Sequence, residues 1–296
     1  MTYFLNLRSH AVGGWVDTSD VKIQLDPPAT AGGFTQNRVD LSKLRADLRG
    51  QHVLIGVHGF NVDFASGVEH LSYWGSLLQP PTQPVFVGLL WPGDSVWAHG
   101  LDYPEEPRIA DESGARVAAF VEGALADVAS ISFVSHSLGA RVALQTVNRM
   151  TDRVRRLTLM AGAIDDNCLN TEFQKAAQKV DEISVLASKA DEVLELAFPL
   201  GNLLAGIIDQ GHPWWHGALG RFGPKKPQPL NFKAPFQIPD EWMYGHGDYL
   251  RDAPPAGGTI PLSDVEPFTV NPLPLNGAGG WQEAFSSAFV SLRSRL

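Results

Sequence analysis

The chain has 296 residues, 44% of them hydrophobic and 19% charged, the make-up of a globular protein with ample length for a buried core, not of a disordered chain. Lys plus Arg number 23 and Asp plus Glu 32, a net charge of −9, which argues against nucleic acid or anionic lipid as a partner of the whole chain. A lone cysteine, Cys168, excludes an intramolecular disulfide and a Cys-based zinc site.

The N-terminus, Met-Thr-Tyr-Phe-Leu-Asn-Leu-Arg-Ser-His, has no basic start followed by a continuous apolar stretch, so no signal peptide is expected. No run approaches about 18 apolar residues, so no membrane span is expected and the cytoplasm is the default location. Phe4–Leu7 and Val21–Leu25 read as antiparallel edge strands. From Gln51 to Phe198 short apolar runs alternate with segments of helical spacing. The runs are Val53–Val57, Val85–Leu90, Ile131–Val134, Leu157–Met160 and Ile183–Leu186, and their lack of polar alternation suits strands covered on both faces. Val68, Leu71, Trp74 and Leu78 recur at three and four, as do Val117, Phe120, Val121, Ala124, Leu125 and Val128. Leu138, Val142 and Val147 do so more loosely. Strand–helix–strand alternation predicts an α/β fold with a mainly parallel sheet and right-handed crossovers.

The pattern breaks after Phe198. Residues 199–240 and 252–277 are rich in Pro and Gly, with Trp in the first stretch, and read as long loops, the part 199–235 as a cap-like insertion or lid. Trp281, Phe285, Phe289, Leu292 and Leu296 have helical spacing and are expected to pack back on the sheet. No linker separates two units, so residues 1–296 are read as one domain.

Ile131-Ser-Phe-Val-Ser-His-Ser-Leu-Gly-Ala-Arg-Val is the most informative stretch. A strand runs into Ser135-His-Ser-Leu-Gly139 and a helix follows at once, the context of a nucleophile elbow with Ser137 at its apex. Small residues are needed two before and two after the apex, because strand and helix approach closely there. Gly139 meets that need, and Ser135 stands where Gly is usual. The plainer alternative is that Ser137 caps a helix. His136, beside it, reads as a packing or supporting residue and not as the base.

Val53-Leu-Ile-Gly-Val-His-Gly-Phe-Asn is a buried strand ending in a turn at His58–Asn61. Acyl transfer needs two N–H donors aimed at a developing oxyanion. Leu138, after the nucleophile, would give the first, and Phe60 or Asn61 the second. His58 reads as structural, bonding loop carbonyls.

Taken together, His58-Gly-Phe-Asn, Trp91-Pro-Gly-Asp, Ser135-His-Ser-Leu-Gly, a downstream Asp and Gly245-His-Gly-Asp-Tyr resemble the α/β-hydrolase superfamily, within it a bacterial branch of largely uncharacterised hydrolases. The resemblance covers residues 50–250. It implies an α/β-hydrolase fold: an eight-stranded, mostly parallel sheet with helices on both faces, and a Ser–acid–His triad in that chain order. The acid is then expected after a late strand. Asp191 fits, past Ile183–Leu186 and at the mouth of a helix, while Asp165 and Asp166 after the preceding strand compete, with Glu192 behind them. For the base, His246 lies between two glycines after an apparent last strand near Phe236–Ile238. His212 and His216 flank Pro-Trp-Trp in the insertion and read as structural or substrate-facing, since Pro213 rules out the helix that a metal pair at this spacing would need.

Trp91 and Trp97 follow a sheet strand, on the edge where such folds bind ligands, and Trp214 and Trp215 lie in the insertion; all four are candidate substrate-binding residues. The expected activity is hydrolysis of a small-molecule carboxylic ester through an acyl-enzyme, with no cofactor and no metal. Amide, thioester or lactone cleavage and acyl transfer would use the same residues, and a non-catalytic binding protein is the alternative of another class. Haloalkane or epoxide chemistry on this fold requires Asp at the elbow, which Ser137 excludes.

Overall fold

The computed structural model describes residues 1–77, 85–94, 106–195, 217–233, 238, 240 and 243–249. Eight strands form one sheet: β1 (Tyr3–Asn6), β2 (Lys22–Leu25), β3 (His52–Val57), β4 (Val85–Leu90), β5 (Ser130–His136), β6 (Val154–Met160), β7 (Val180–Leu186) and β8 (Phe232–Lys233). Their order is β2-β1-β4-β3-β5-β6-β7-β8. Every neighbouring pair is parallel except β1 with β2. β1 therefore differs from its expectation: it is antiparallel to β2 but parallel to β4, an interior strand and not an edge.

In β3 and β4 five consecutive residues are buried, so both faces of the central sheet are covered. The helices α1 (Leu41–Leu48), α2 (Phe64–Leu77), α3 (Glu106–Ala124), α4 (Gly139–Arg149) and α5 (Gln174–Lys179) supply the cover. α3 packs on α4 and α4 on α5, while α2 packs on β3 and β4. This is the α/β-hydrolase arrangement.

Sequence explains how closely α2 lies on the sheet. Gly56 of β3 and Gly88 of β4 are register partners. A Cβ on Gly56 would lie 2.4 Å from the Phe86 ring and 3.2 Å from Leu71 of α2, and one on Gly88 would lie 2.7 Å from the Phe4 ring. Two missing side chains thus make the seat for two rings and a leucine. In α4 the residues Val142, Ala143, Leu144, Thr146 and Val147 are buried, and Arg149 in the last turn complements the negative end of the helix dipole.

Part of the expected insertion belongs to the body of the protein. Leu219 N–H donates to Ile164 C=O, Gly220 N–H to Gly162 C=O, and Ser188 N–H to Gly220 C=O. β8 pairs with Ile183 and Ser184 of β7, while Phe236 and Gln237 of the expected last strand lie outside the described residues. The Ile238 N–H donates to Ala187 C=O at 2.8 Å. Residues 199–216 and the expected C-terminal helix at 281–296 lie outside the described residues. Among the described residues no helix is long and apolar enough to cross a membrane.

Candidate active site

β5 ends at His136 and α4 begins at Gly139, which leaves two residues for the reversal. Ser137 makes it with φ 54°, in the left-handed region that costs a non-glycine residue about 1–3 kcal/mol. The surroundings hold it there. Its N–H donates to Met160 C=O at 3.0 Å, and its C=O accepts from Ala140 and Ala163 N–H at 3.1 and 3.2 Å. The small-residue requirement is met by contact. A Cβ on Gly139 would lie 2.4 Å from the His58 carbonyl oxygen, and one on Gly59 would lie 2.9 Å from Ser137 Cβ. Ser137 does not cap α4: the cap residue is Leu138, with no side-chain hydrogen bond.

The Ser137 hydroxyl points instead at His246, Oγ to Nε2 2.9 Å, and His246 Nδ1 lies 2.8 Å from Asp191 Oδ2. An ionised carboxylate only accepts, so Nδ1 carries the proton and Nε2 is left to accept from the serine. Asp191 is fully buried, and its other oxygen accepts from Leu194 N–H at 2.9 Å, which caps the helical residues 192–195. It thus caps a helix and faces His246 at once. The competing Asp166 is paired with Lys225 Nζ at 3.1 Å, and Asp165 joins Ala218 in an isolated bridge.

The loop that carries His246 is tied down at three further points. Ser188 Oγ donates to Tyr244 C=O at 2.6 Å, Gly245 N–H donates to Asp248 at 2.9 Å, and His136 Nε2–H donates to His246 C=O at 2.5 Å. A carbonyl only accepts, which fixes the proton of His136 on Nε2. Burial, helped by the neighbouring His246, pushes His136 down to about 4, so its ring is neutral near pH 7. His58 is buried too, and burial pushes it down to about 3. Its Nδ1–H donates to Gly59 C=O at 2.9 Å, the loop-bonding part expected of it.

Of the two oxyanion-donor residues in the β3 loop, Asn61 has its N–H engaged by Gly93 C=O at 2.6 Å. Phe60, the other of the two, lines the same cavity as Ser137. The Leu138 N–H stands at a helix start, where no helical carbonyl satisfies it.

Ser137 and His246 open on a cavity of about 250 Å³, walled by Phe60 and Val62 of the β3 loop, Tyr73 and Trp74 of α2, and Tyr249. Trp91 does not line it. That residue is fully buried, stacked 5.7 Å from His58, and its indole N–H donates to His58 C=O at 2.8 Å. Its place directly after β4 put it near the site but under the loop, where it braces the backbone. Trp97, Trp214 and Trp215 lie outside the described residues. The sequence reading missed Tyr73 and Trp74, since the helical spacing of Trp74 reads as core. The available signal was that α2 starts right after the His58–Asn61 turn, so one flank of it must border the same edge.

Residues 35–208, more than half of the chain, match the model of a family described as alpha/beta hydrolase of unknown function (DUF900). Among solved structures the chain is similar to a C6-C4 SN3 inhibited esterase B from Lactobacillus rhamnosis, at 9% identity and a TM-score of 0.34, over 83% of this chain and 76% of that one. A search of curated proteins finds no match. On the family match, the chain belongs to this α/β-hydrolase family.

Proposed function

We propose that this member of an α/β-hydrolase family is a serine hydrolase that cleaves a carboxylic ester of a small acyl group. The observation that carries the reading is the unbroken relay from Ser137 Oγ through His246 to Asp191, at 2.9 and 2.8 Å, with the serine on a left-handed turn beside a cavity. A hydroxyl is a poor nucleophile until a base removes its proton. In this reading His246 Nε2 takes the proton as Ser137 Oγ attacks the ester carbonyl. Asp191 holds the ring and stabilises the imidazolium. The N–H groups of Leu138 and Phe60 stabilise the oxyanion. His246 returns its proton to the leaving alcohol, and a water deprotonated by the same nitrogen then releases the acid.

The cavity, about 250 Å³, lies below the range of roughly 300–1,000 Å³ usual for drug-sized ligands, which supports a short acyl chain or a single ring. The same reading takes the chain as one domain.

The test is labelling with a fluorophosphonate, the adduct mapped by mass spectrometry, followed by a panel of short- to long-chain esters with matched thioesters and amides. Labelling at Ser137 that vanishes in Ser137→Ala is expected, with short esters turned over fastest. A folded protein that takes no label would overturn the enzymatic reading, and faster cleavage of the matched thioester or amide would overturn the ester assignment alone.

A further inference from the structure

Arg8 follows β1 and lies outside the family match, yet its side chain is completely buried. Its guanidinium donates to five carbonyls. Nε reaches His10 at 3.2 Å, one terminal nitrogen reaches Val62 at 3.0 Å and Trp91 at 2.9 Å, and the other reaches Ala11 and Gly13, both at 3.4 Å. The second terminal nitrogen also pairs with Asp94, whose other oxygen accepts from Gly13 N–H at 2.9 Å. The carbonyls belong to three loops, those after β1, β3 and β4, which leave parallel strands on the edge of the sheet that holds Ser137.

Two more bonds join the same loops. Asn61 N–H donates to Gly93 C=O, and Trp91 Nε1–H to His58 C=O. The segment His58–Val62 is therefore held from beneath at His58, Asn61 and Val62, on both sides of Phe60. A planar fork with five donors fixes the carbonyls it bonds in direction as well as distance. A buried charge also resists any movement that would leave it unpaired. The sheet ladders already hold β1, β3 and β4 together; what the pair adds is the position of the loops.

We propose that the pair of buried Arg8 with Asp94 is a positioning device for the oxyanion-binding loop, setting the Phe60 N–H at the distance from Ser137 that the tetrahedral intermediate requires. This inference rests on the serine-hydrolase reading above. It makes Arg8 and Asp94 positioning residues that touch no substrate, and it makes the N-terminal hairpin part of the machinery.

The test is Asp94→Asn, with Arg8→Lys as a second variant that keeps the charge and loses the fork. Each is compared with wild type for fluorophosphonate labelling rate, kcat, KM, the pH profile on a short ester, and amide exchange of the peptide spanning residues 58–63. The expected result is a folded protein whose kcat and labelling rate fall by about 10- to 100-fold, with KM changed by less than about twofold. The acid limb of the profile stays in place, because the base is untouched. Exchange in 58–63 speeds by at least about tenfold while the sheet stays protected. Wild-type labelling with both folded variants reacting at the wild-type rate would overturn this inference alone, as would a displaced acid limb, which would trace the loss to His246. Failure of both variants to fold would overturn it too, since the pair would then serve the whole sheet. No labelling of the wild type would overturn the hydrolase reading and this inference with it.

Discussion

His136 and His246, rings 4.8 Å apart, are joined by a hydrogen bond from the Nε2–H of the first to the main-chain carbonyl of the second. The residue just before the proposed nucleophile thus supports the backbone of the proposed base. His136→Ala should lower kcat by about tenfold or more, since small displacements of a reacting group are costly. His136→Gln, which keeps a donor, should recover part of the loss. Steady-state kinetics with amide exchange over residues 243–249 would check both, and equal activity in wild type and His136→Ala would refute the role.

Ser137→Ala and His246→Ala should each reduce kcat by about 10⁴-fold or more. Asp191→Ala should fall by somewhat less, because the histidine keeps part of its function without a carboxylate. Asp166→Ala should leave kcat close to wild type, as its partner is Lys225. The four variants assayed on one ester decide the assignment; an inactive Asp166→Ala beside an active Asp191→Ala would move the acid to the β6 loop.

Gly139→Ala should destabilise the fold by about 1–3 kcal/mol or more, since its methyl would meet the carbonyl oxygens of His58 and Val57 at 2.4 and 2.9 Å. Backbone cannot step aside as a flexible side chain can. Gly123→Ala, in α3 with nothing within 4 Å, is the matched control and should be neutral or stabilising by about 0.5–1 kcal/mol. Denaturant unfolding of the two variants gives the comparison.

Acid should weaken the fold before carboxylates titrate. His58 and His136 stay neutral in the folded protein down to about 3 and about 4, against an ordinary value of 6.5. Above pH 6.5 both states hold the same protons and stability is flat. Between 6.5 and 4 the unfolded chain binds protons that the folded one refuses, so stability falls with pH, by up to about 1.4 kcal/mol per pH unit for each ring. Urea midpoints at pH 7.5, 6 and 5 should show the decline, and His136→Gln should roughly halve it, leaving the part due to His58.

Much of the arrangement was readable because it obeys local rules. Parallel strands buried on both faces leave apolar runs, and the elbow packs strand, serine and glycine into a few residues. His246 was reached through its flanking glycines and its place in the order of the chain. Other features have no local signature. Arg8 stands in an ordinary N-terminal run, and its partners come from sequence separations of up to 86 residues. Trp91 looked like a ligand surface because sequence gives the edge of the sheet and not the depth of a side chain. β1 looked like an edge strand since pairing with β4 depends on register across the intervening chain.

Ser137 and His246 are separated by 109 residues. On a ribosome that adds about 5–20 residues per second, the elbow is made roughly 5–20 s before the histidine emerges. Through that interval the nascent protein carries the serine without the histidine proposed to activate it. On the proposed mechanism, reactivity toward acyl groups is thus withheld until translation has passed His246.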